Sequence, residues 1–550
     1  MHRAVLLGVL VICGSAVSAE HQRKVLKYVF DPQVTAGRLI LKVGLEFDSG
    51  PVDTAELEVP KAWGDATDLR SVTNVRNSYA GGRVRVTWDL VKDWVVPPPR
   101  ADHHAIIEPT YFEFNTQNGL IHPRLDKLTP VEVRLDWSRL PAGWTLATSF
   151  GTAKRLQTFR GTWGEMNNAL FAGGDFRLIG RSIAGRHLVV AIRGKWRFAD
   201  EEAADHVRKV ISIERAFWHD YNFPYYLVTV STFGRDGGGS GGGGFTNAFA
   251  LFIQRTSLFG EDVQSLLAHE TFHTWNPLRM GLTPDSDAGM AWFTEGFTRY
   301  YQDVLLLRAG MLSFDEYLQR TNNYLRDYFL SPARNLSNAE LIDRRRHVGV
   351  DDDLVYTRGA ATALWLDSTI RKSTRGESSL DNVMFDLVQQ AHGRSPALTD
   401  ERIYRAASKY LSVQSLAHLR EYVELGKTVS VPPDGLGSCA NLQMDDIPRF
   451  ELGMNREDLV GQQMVSGVKV GSAAYAAGAR DGQHVSRTDI YWNDVSKPVR
   501  LIVNADGASK ALEYYPRGES IGAVPQYHLR SGELADSARC LSENAGSASR

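Results

Sequence analysis

His269, Glu270 and His273 lie in the stretch "LLAHETFHTWNPLRMG", residues 266 to 281. Residues four apart sit one above the other on a single helix face, so the two imidazoles can reach one metal ion, with the glutamate beside it as a base. With 15 histidines in 550 residues, the pattern His-Glu-x-x-His arises by chance in only about two or three chains in a hundred of this composition. The surroundings favour a helix. Glu261 and Asp262 place negative charge in a first turn, Val263, Leu266 and Leu267 recur at helical spacing, and Pro277 closes the segment. A catalytic zinc takes three protein ligands and leaves a fourth position to water, so a third ligand is required from elsewhere.

The segment "AGMAWFTEGFTRYYQDVLLLRAG", residues 288 to 310, reads as a long, largely buried helix that carries Glu295 among Trp292, Phe293, Phe297 and Tyr301. An unpaired carboxylate in such surroundings is costly, and coordination removes that cost. Pairing with Arg299 one turn on is the alternative. The interval from His273 to Glu295 is long enough for one helix to end, a loop to turn back at "GLTPDSD", and a second helix to pack across it.

"HETFHTWNPLR", followed by "WFTEGFTRYYQDVLLLRAG" and later "YTRGAATALWLDSTIRKSTRGESSLDNVM", resembles the glycyl aminopeptidase family of gluzincin metallopeptidases, most closely over residues 170 to 425. The resemblance implies one zinc ion per chain held by His269, His273 and Glu295, with Glu270 as general base. It also implies Tyr356 as the hydrogen-bond donor to the tetrahedral intermediate, and peptides or proteins as substrates. Arg358 stands where those enzymes commonly carry Lys, and is expected to contact substrate. In "STFGRDGGGSGGGGFTNAFALF", residues 231 to 252, the resemblance places substrate-binding backbone and side chains at Gly243, Gly244, Phe245, Thr246 and Asn247. Thr246 replaces the glutamate that reads a substrate's free amine in the family. A neutral hydroxyl cannot neutralise an ammonium, so relaxed or altered N-terminal specificity is expected. "TNAFAL" also resembles the edge strand of thermolysin-like endopeptidases, leaving exopeptidase against endopeptidase action open. The reading from a different class is a catalytically weakened peptide-binding or scaffold protein, suggested by Thr246 and by Gln483.

The elements that must position these residues form an α+β multidomain chain. Short alternating stretches such as "GRLILKVGLEF", "GGRVRVTWDL" and "PVEVRLDW" predict a β-sandwich-like domain over residues 20–172. A thermolysin-like catalytic domain, mostly helical with a sheet, is expected over 173–428. After the linker-like "GKTVSVPPDGLGS", the stretch "VSGVKVGSAAYAAGARDGQHV" resembles a PDZ domain, giving a PDZ-like domain over 436–545 with "FELGMN" as its carboxylate-binding loop. Its usual Gly-Asp is Gly482-Gln483 here. His103 and His104 are adjacent, point to opposite faces of a strand, and are read as structural or exposed.

A net charge of -2 argues against a nucleic-acid partner, and "RRRH" at 344–347 reads as a solvated loop. Residues 1–19 have the basic start, apolar stretch and small residues of a secretory signal peptide, which implies export to the periplasm or medium. A lipoprotein anchor at Cys13 is disfavoured by the bulky Ile12. No later apolar run is long enough to insert stably in a membrane. Cys439 and Cys540 flank the C-terminal segment and are a candidate disulfide, with two buried free thiols as the alternative.

Overall fold

The computed structural model describes residues 23–530, except 50–55, 65, 96–97, 99–100, 153, 233–239, 256–258, 282–288, 349–351, 393–395, 493 and 506–507. The expected signal segment, Cys13, Cys540, the first part of the glycine tract and most of the "GLTPDSD" loop therefore lie outside the described residues. So do the side chains of "RRRH".

Strict alternation builds the N-terminal region. Strands Lys24–Thr35, Arg38–Asp48 and Arg83–Leu90 bury every second residue, the pattern of a sheet with one wet face. They belong to a six-stranded sheet ordered Leu156–Thr162, Pro130–Asp136, Lys24–Thr35, Arg38–Asp48, Arg83–Leu90, Val72–Ala80. A four-stranded sheet, Thr145–Thr148, Leu170–Gly174, Tyr111–Asn115 and Ile106–Glu108, packs against it. Their shared core centres on Phe30 and Trp137, stacked with ring centroids 3.7 Å apart, together with Phe112, Phe114 and Phe171. His103 and His104 are not exposed. His103 lies 3.7 Å from Asp102, and His104 lies 3.1 Å from Asp93.

The next sheet has five strands, ordered Arg177–Ile183, Arg186–Ile192, Tyr225–Ser231, Ala248–Phe252, Gly241–Phe245. Its two faces have different partners. Val228, Val230 and Leu251 pack with Val207, Ile211 and Leu267 of the helices Asp200–Phe217 and Glu261–Phe272. Leu227, Ala248 and Ala250 pack with Ile106, Tyr111, Leu170 and Ala172 of the four-stranded sheet. The end of the glycine tract, Gly241–Gly244, is thus an edge strand paired antiparallel with Ala248–Phe252.

A large helical core follows, built around Gly296–Arg308, Phe314–Leu330, Asp352–Ser373 and Leu380–Ala391. The C-terminal region has its own smaller core around Leu452, Val485, Leu501 and Leu512, with a short helix, Ala473–Ala477, and a three-stranded sheet. The ribbon that carries it, Ala440–Phe450 with Arg517–Leu529, is anchored in the helical core instead: Leu436, Cys439, Ala440 and Tyr527 are all buried there. Asn322, on Phe314–Leu330, donates to Tyr527 O and accepts from Tyr527 N, both at 2.8 Å. The expected boundary near 436 therefore falls within a single packed core. Cys439 is disulfide-bonded. Among the described residues no helix is long and apolar enough to cross a membrane.

Glu113 joins the N-terminal region to the five-stranded sheet. It is 2% exposed and accepts from Thr229 Oγ1 and Ser231 Oγ. Burial pushes its carboxyl above the usual 4.5, a rise that the two hydroxyls offset in part. A carboxyl raised in the folded state adds stability that is complete below the unfolded value and is lost as pH climbs through the folded one. Thermal melts should therefore show the wild type losing stability, relative to Glu113→Gln, as pH rises from about 4.5. A pH-independent difference would refute this.

Candidate metal centre

The helix Glu261–Phe272 ends just before His273, which is its C-cap. His269 and His273 project from its last turn towards Glu295. The segment read as one helix is in fact two, Ala291–Thr294 and Gly296–Arg308, with Glu295 at the junction. Its backbone stays in helical register: Glu295 N donates to Ala291 O at 2.9 Å, and Arg299 N donates to Glu295 O at 2.8 Å.

Glu295 Oε2 lies 3.2 Å from His269 Nε2 and 3.4 Å from His273 Nε2. Ligands about 2.0–2.1 Å from a tetrahedral centre stand roughly 3.3–3.4 Å from one another, so the donor set fits a divalent metal ion. Among the described residues this trio is the one group of three or more His, Cys, Asp or Glu side chains close enough to hold an ion. Burial disfavours charge on His273, yet the carboxylates of Glu295 and Glu270 hold its pKa up at about 9. Burial likewise opposes ionisation of Glu295, and the two imidazoles outweigh it and keep the carboxyl well below its usual range. The two carboxylates thus favour positive charge at the site.

Each imidazole is oriented from behind. His269 Nδ1 is 3.0 Å from Gln302 Oε1, and His273 Nδ1 is 2.8 Å from Asn276 O. A backbone carbonyl only accepts, so His273 carries a proton on Nδ1 and turns Nε2 towards Glu295. Asn276 also ties the two ligand-bearing segments together. Its fully buried amide donates to Phe293 O at 3.1 Å and to Thr298 Oγ1 at 3.2 Å, on either side of Glu295. Sequence reasoning missed both residues. Gln302 was within reach, since it follows Glu295 by seven positions and so returns to the same helix face after two turns. Asn276 acts through a chain bend that has no periodic signature.

Glu270, half-buried, follows His269 on the same helix turn. The half-buried Tyr356 ring lies 5.8 Å from the His269 ring. It is carried by Asp352–Ser373, and a close backbone contact sets the approach of that helix. A Cβ on Gly359 would fall on the carbonyl oxygen of Trp292 and 2.6 Å from Gly296 Cα. Only glycine at both crossing points lets the helix bearing Tyr356 reach the helix following Glu295.

The remaining expected residues divide. Gly244 stays beside the His-bearing helix, where an added Cβ would stand 3.4 Å from Glu270 O. On the opposite face, an added Cβ on Gly243 would point towards Phe245 and Trp63. Phe245 does not line the site, because its ring is buried against Trp63 with centroids 5.8 Å apart. Thr246 Oγ1 donates to Glu165 O and its N–H to Asn168 O, both at 2.7 Å. Asn247 takes the positive φ of 52° that the hairpin turn demands. Arg358 is 1% exposed and donates to Leu336 O, with burial lowering its pKa. Its guanidinium braces the helical core, because a buried cation must find carbonyl acceptors where it lies. This corrects the expectation that it contacts substrate.

Two imidazoles and a carboxylate on successive helices, with a glutamate next to the first histidine, make a donor set that could hold one metal ion. Residues 262–343, which include all three donors and Glu270, match the family model of the M61 glycyl aminopeptidase. The resemblance to that family is thus a finding for the segment that builds the site. Among solved structures, the chain is similar to an aminopeptidase N family protein from Idiomarina loihiensis, with 17% identity over 92% of this chain and 98% of that one and a TM-score of 0.68. The two share a fold. An M1 zinc metallopeptidase from Deinococcus radiodurans aligns at 16% identity over 75% of this chain and 95% of that one, with a TM-score of 0.47. No curated protein matches the chain.

Gly359→Ala should destabilise the protein by on the order of 1–3 kcal/mol, the usual range for overpacking against rigid backbone. Chemical denaturation measures it, and a change below about 0.5 kcal/mol, the scatter of neutral surface substitutions, would show that the helices yield.

Proposed function

We infer that the protein is an exported zinc metallopeptidase that hydrolyses peptide bonds. The observation that carries this reading is the convergence of His269, His273 and Glu295, with Glu270 and Tyr356 beside them. His269, His273 and Glu295 would hold zinc, which would supply a Lewis acid to polarise the scissile carbonyl and acidify water. Glu270 takes the proton of the attacking water and delivers it to the leaving amine. The Tyr356 hydroxyl donates to the carbonyl oxygen as negative charge develops, a contribution typically worth about 3–4 kcal/mol of barrier. The edge strand Gly241–Phe245 offers main-chain groups to an extended substrate, and its glycines let that backbone come close.

Thr246 favours relaxed N-terminal specificity. Its hydroxyl proton is engaged by Glu165 O, so the position that reads an amine in the family here closes a hairpin. The residues before Glu20 act as an export signal, and the PDZ-like domain proposed for residues 436–545 has Gln483 capping a turn by accepting from Arg480 N at 2.9 Å.

Metal analysis of purified protein should find about one zinc per chain, lost when His269, His273 or Glu295 is replaced by Ala, since two ligands do not hold zinc tightly. Full occupancy in all three variants would sink the ligand assignment. Glu270→Gln should keep the metal and lose hydrolysis by at least about 10²-fold.

A peptide pair identical except for N-terminal acetylation tests specificity. The two should be cleaved at similar rates. Rejection of the blocked peptide by orders of magnitude would mean that another acidic group reads the amine.

A further inference from the structure

The two imidazoles lean on different kinds of acceptor. His273 uses a main-chain carbonyl that no substitution removes, whereas His269 uses a side chain, Gln302 Oε1 at 3.0 Å. Gln302 is 2% exposed, and its amide is held in one orientation by a chain of contacts behind it. Its Nε2 faces Asp303 Oδ1 at 3.3 Å, and Asp303 accepts from Arg320 Nη1 at 3.0 Å. Arg320 also donates to Ser265 Oγ, one turn before His269 on the same helix. With its nitrogen turned to a carboxylate, Gln302 can present only its oxygen to His269. The imidazole therefore donates from Nδ1 and turns Nε2 towards Glu295.

We propose that Gln302 is the positioning residue for His269, fixing its tautomer and ring plane before metal arrives, and that its neutral amide makes His269 a weaker metal ligand than a carboxylate there would. The inference rests on the metal-centre reading above. Its physical basis is the behaviour of the group behind a ligating imidazole. Such an acceptor orients the ring, and a charged one also raises the basicity of the ligating nitrogen. Gln302 supplies the first effect without the second. A carboxylate at 302 would add a third negative charge to a cleft that already holds Glu270 and Glu295, with Asp303 next to it.

The test compares Gln302→Met, which keeps the length and bulk and removes the acceptor, with Gln302→Glu, which keeps the acceptor and adds charge. Zinc affinity would be measured by competition with a chromophoric chelator, ring geometry by the visible bands of cobalt-loaded protein, and folding by the melting temperature of metal-free protein. Gln302→Met should bind zinc about 10–100-fold more weakly and shift the cobalt bands, with the metal-free melt little changed. Gln302→Glu should bind at least as tightly as wild type and release zinc to the chelator more slowly. Wild-type affinity and unchanged cobalt bands in Gln302→Met would overturn the proposal. So would equal weakening in both variants, which marks a packing role alone. Should Gln302→Glu not fold beside Asp303, the Met variant decides. A wild-type chain that binds no stoichiometric metal would overturn the metal centre itself, which separates that failure from failure of the positioning role.

Discussion

Everything around the site follows from placing one half-buried carboxylate, Glu295, between two imidazoles at the edge of an aromatic core. Left alone there, the carboxylate would be expensive, and its neighbours Trp292, Phe293 and Phe297 offer it no compensation. Compensation comes from another helix, so two segments separated by a loop must be held in fixed register. Asn276 provides that register by donating to the Phe293 carbonyl before Glu295 and to the Thr298 hydroxyl after it, while its own carbonyl orients His273. The bare glycine contact at Gly296 and Gly359 brings in the third segment, with Tyr356. Because each constraint acts on rigid helices, the donor geometry is established by the fold before any cation enters.

Surface and interior divide the remaining work. The five-stranded sheet serves two masters: one face buries the helix that carries the histidines, and the other is covered by the N-terminal sheets. That arrangement leaves the glycine strand at the edge closest to Glu270. Four successive glycines would be a poor choice for an ordinary strand, since each forfeits conformational entropy and side-chain packing. Here an added Cβ on Gly242 would clash with Phe249 and the Ala250 carbonyl, so close approach accounts for at least one of them.

Much of this was legible in the sequence, for identifiable reasons. The alternating strands and the His-Glu-x-x-His helix are local patterns, and each forms where its period places it. Glu295 stood out because an acid among aromatics demands a partner. What escaped were roles defined by contact across the fold. Phe245, Thr246 and Asn247 were read as facing substrate, whereas the hairpin consumes all three in packing and turn geometry. Arg358 was read as a cleft cation, and burial assigns it to the core. Gln302 looks like an ordinary polar residue on an amphipathic helix until the His269 ring is seen behind it.

The return of the C-terminal strand to the helical core governs how the protein comes into being. The backbone N–H and C=O of Tyr527 pair with the side chain of Asn322, and the Tyr527 hydroxyl donates to Pro432 O. The helix Phe314–Leu330 sits between this strand and the helices of the metal centre, and it supplies Arg320 to the network behind His269. During synthesis the candidate donors emerge first, the last of them, Glu295, 222 positions (517 − 295) before the start of that strand at Arg517. A nascent chain thus carries the candidate donors long before the strand that completes the core around them.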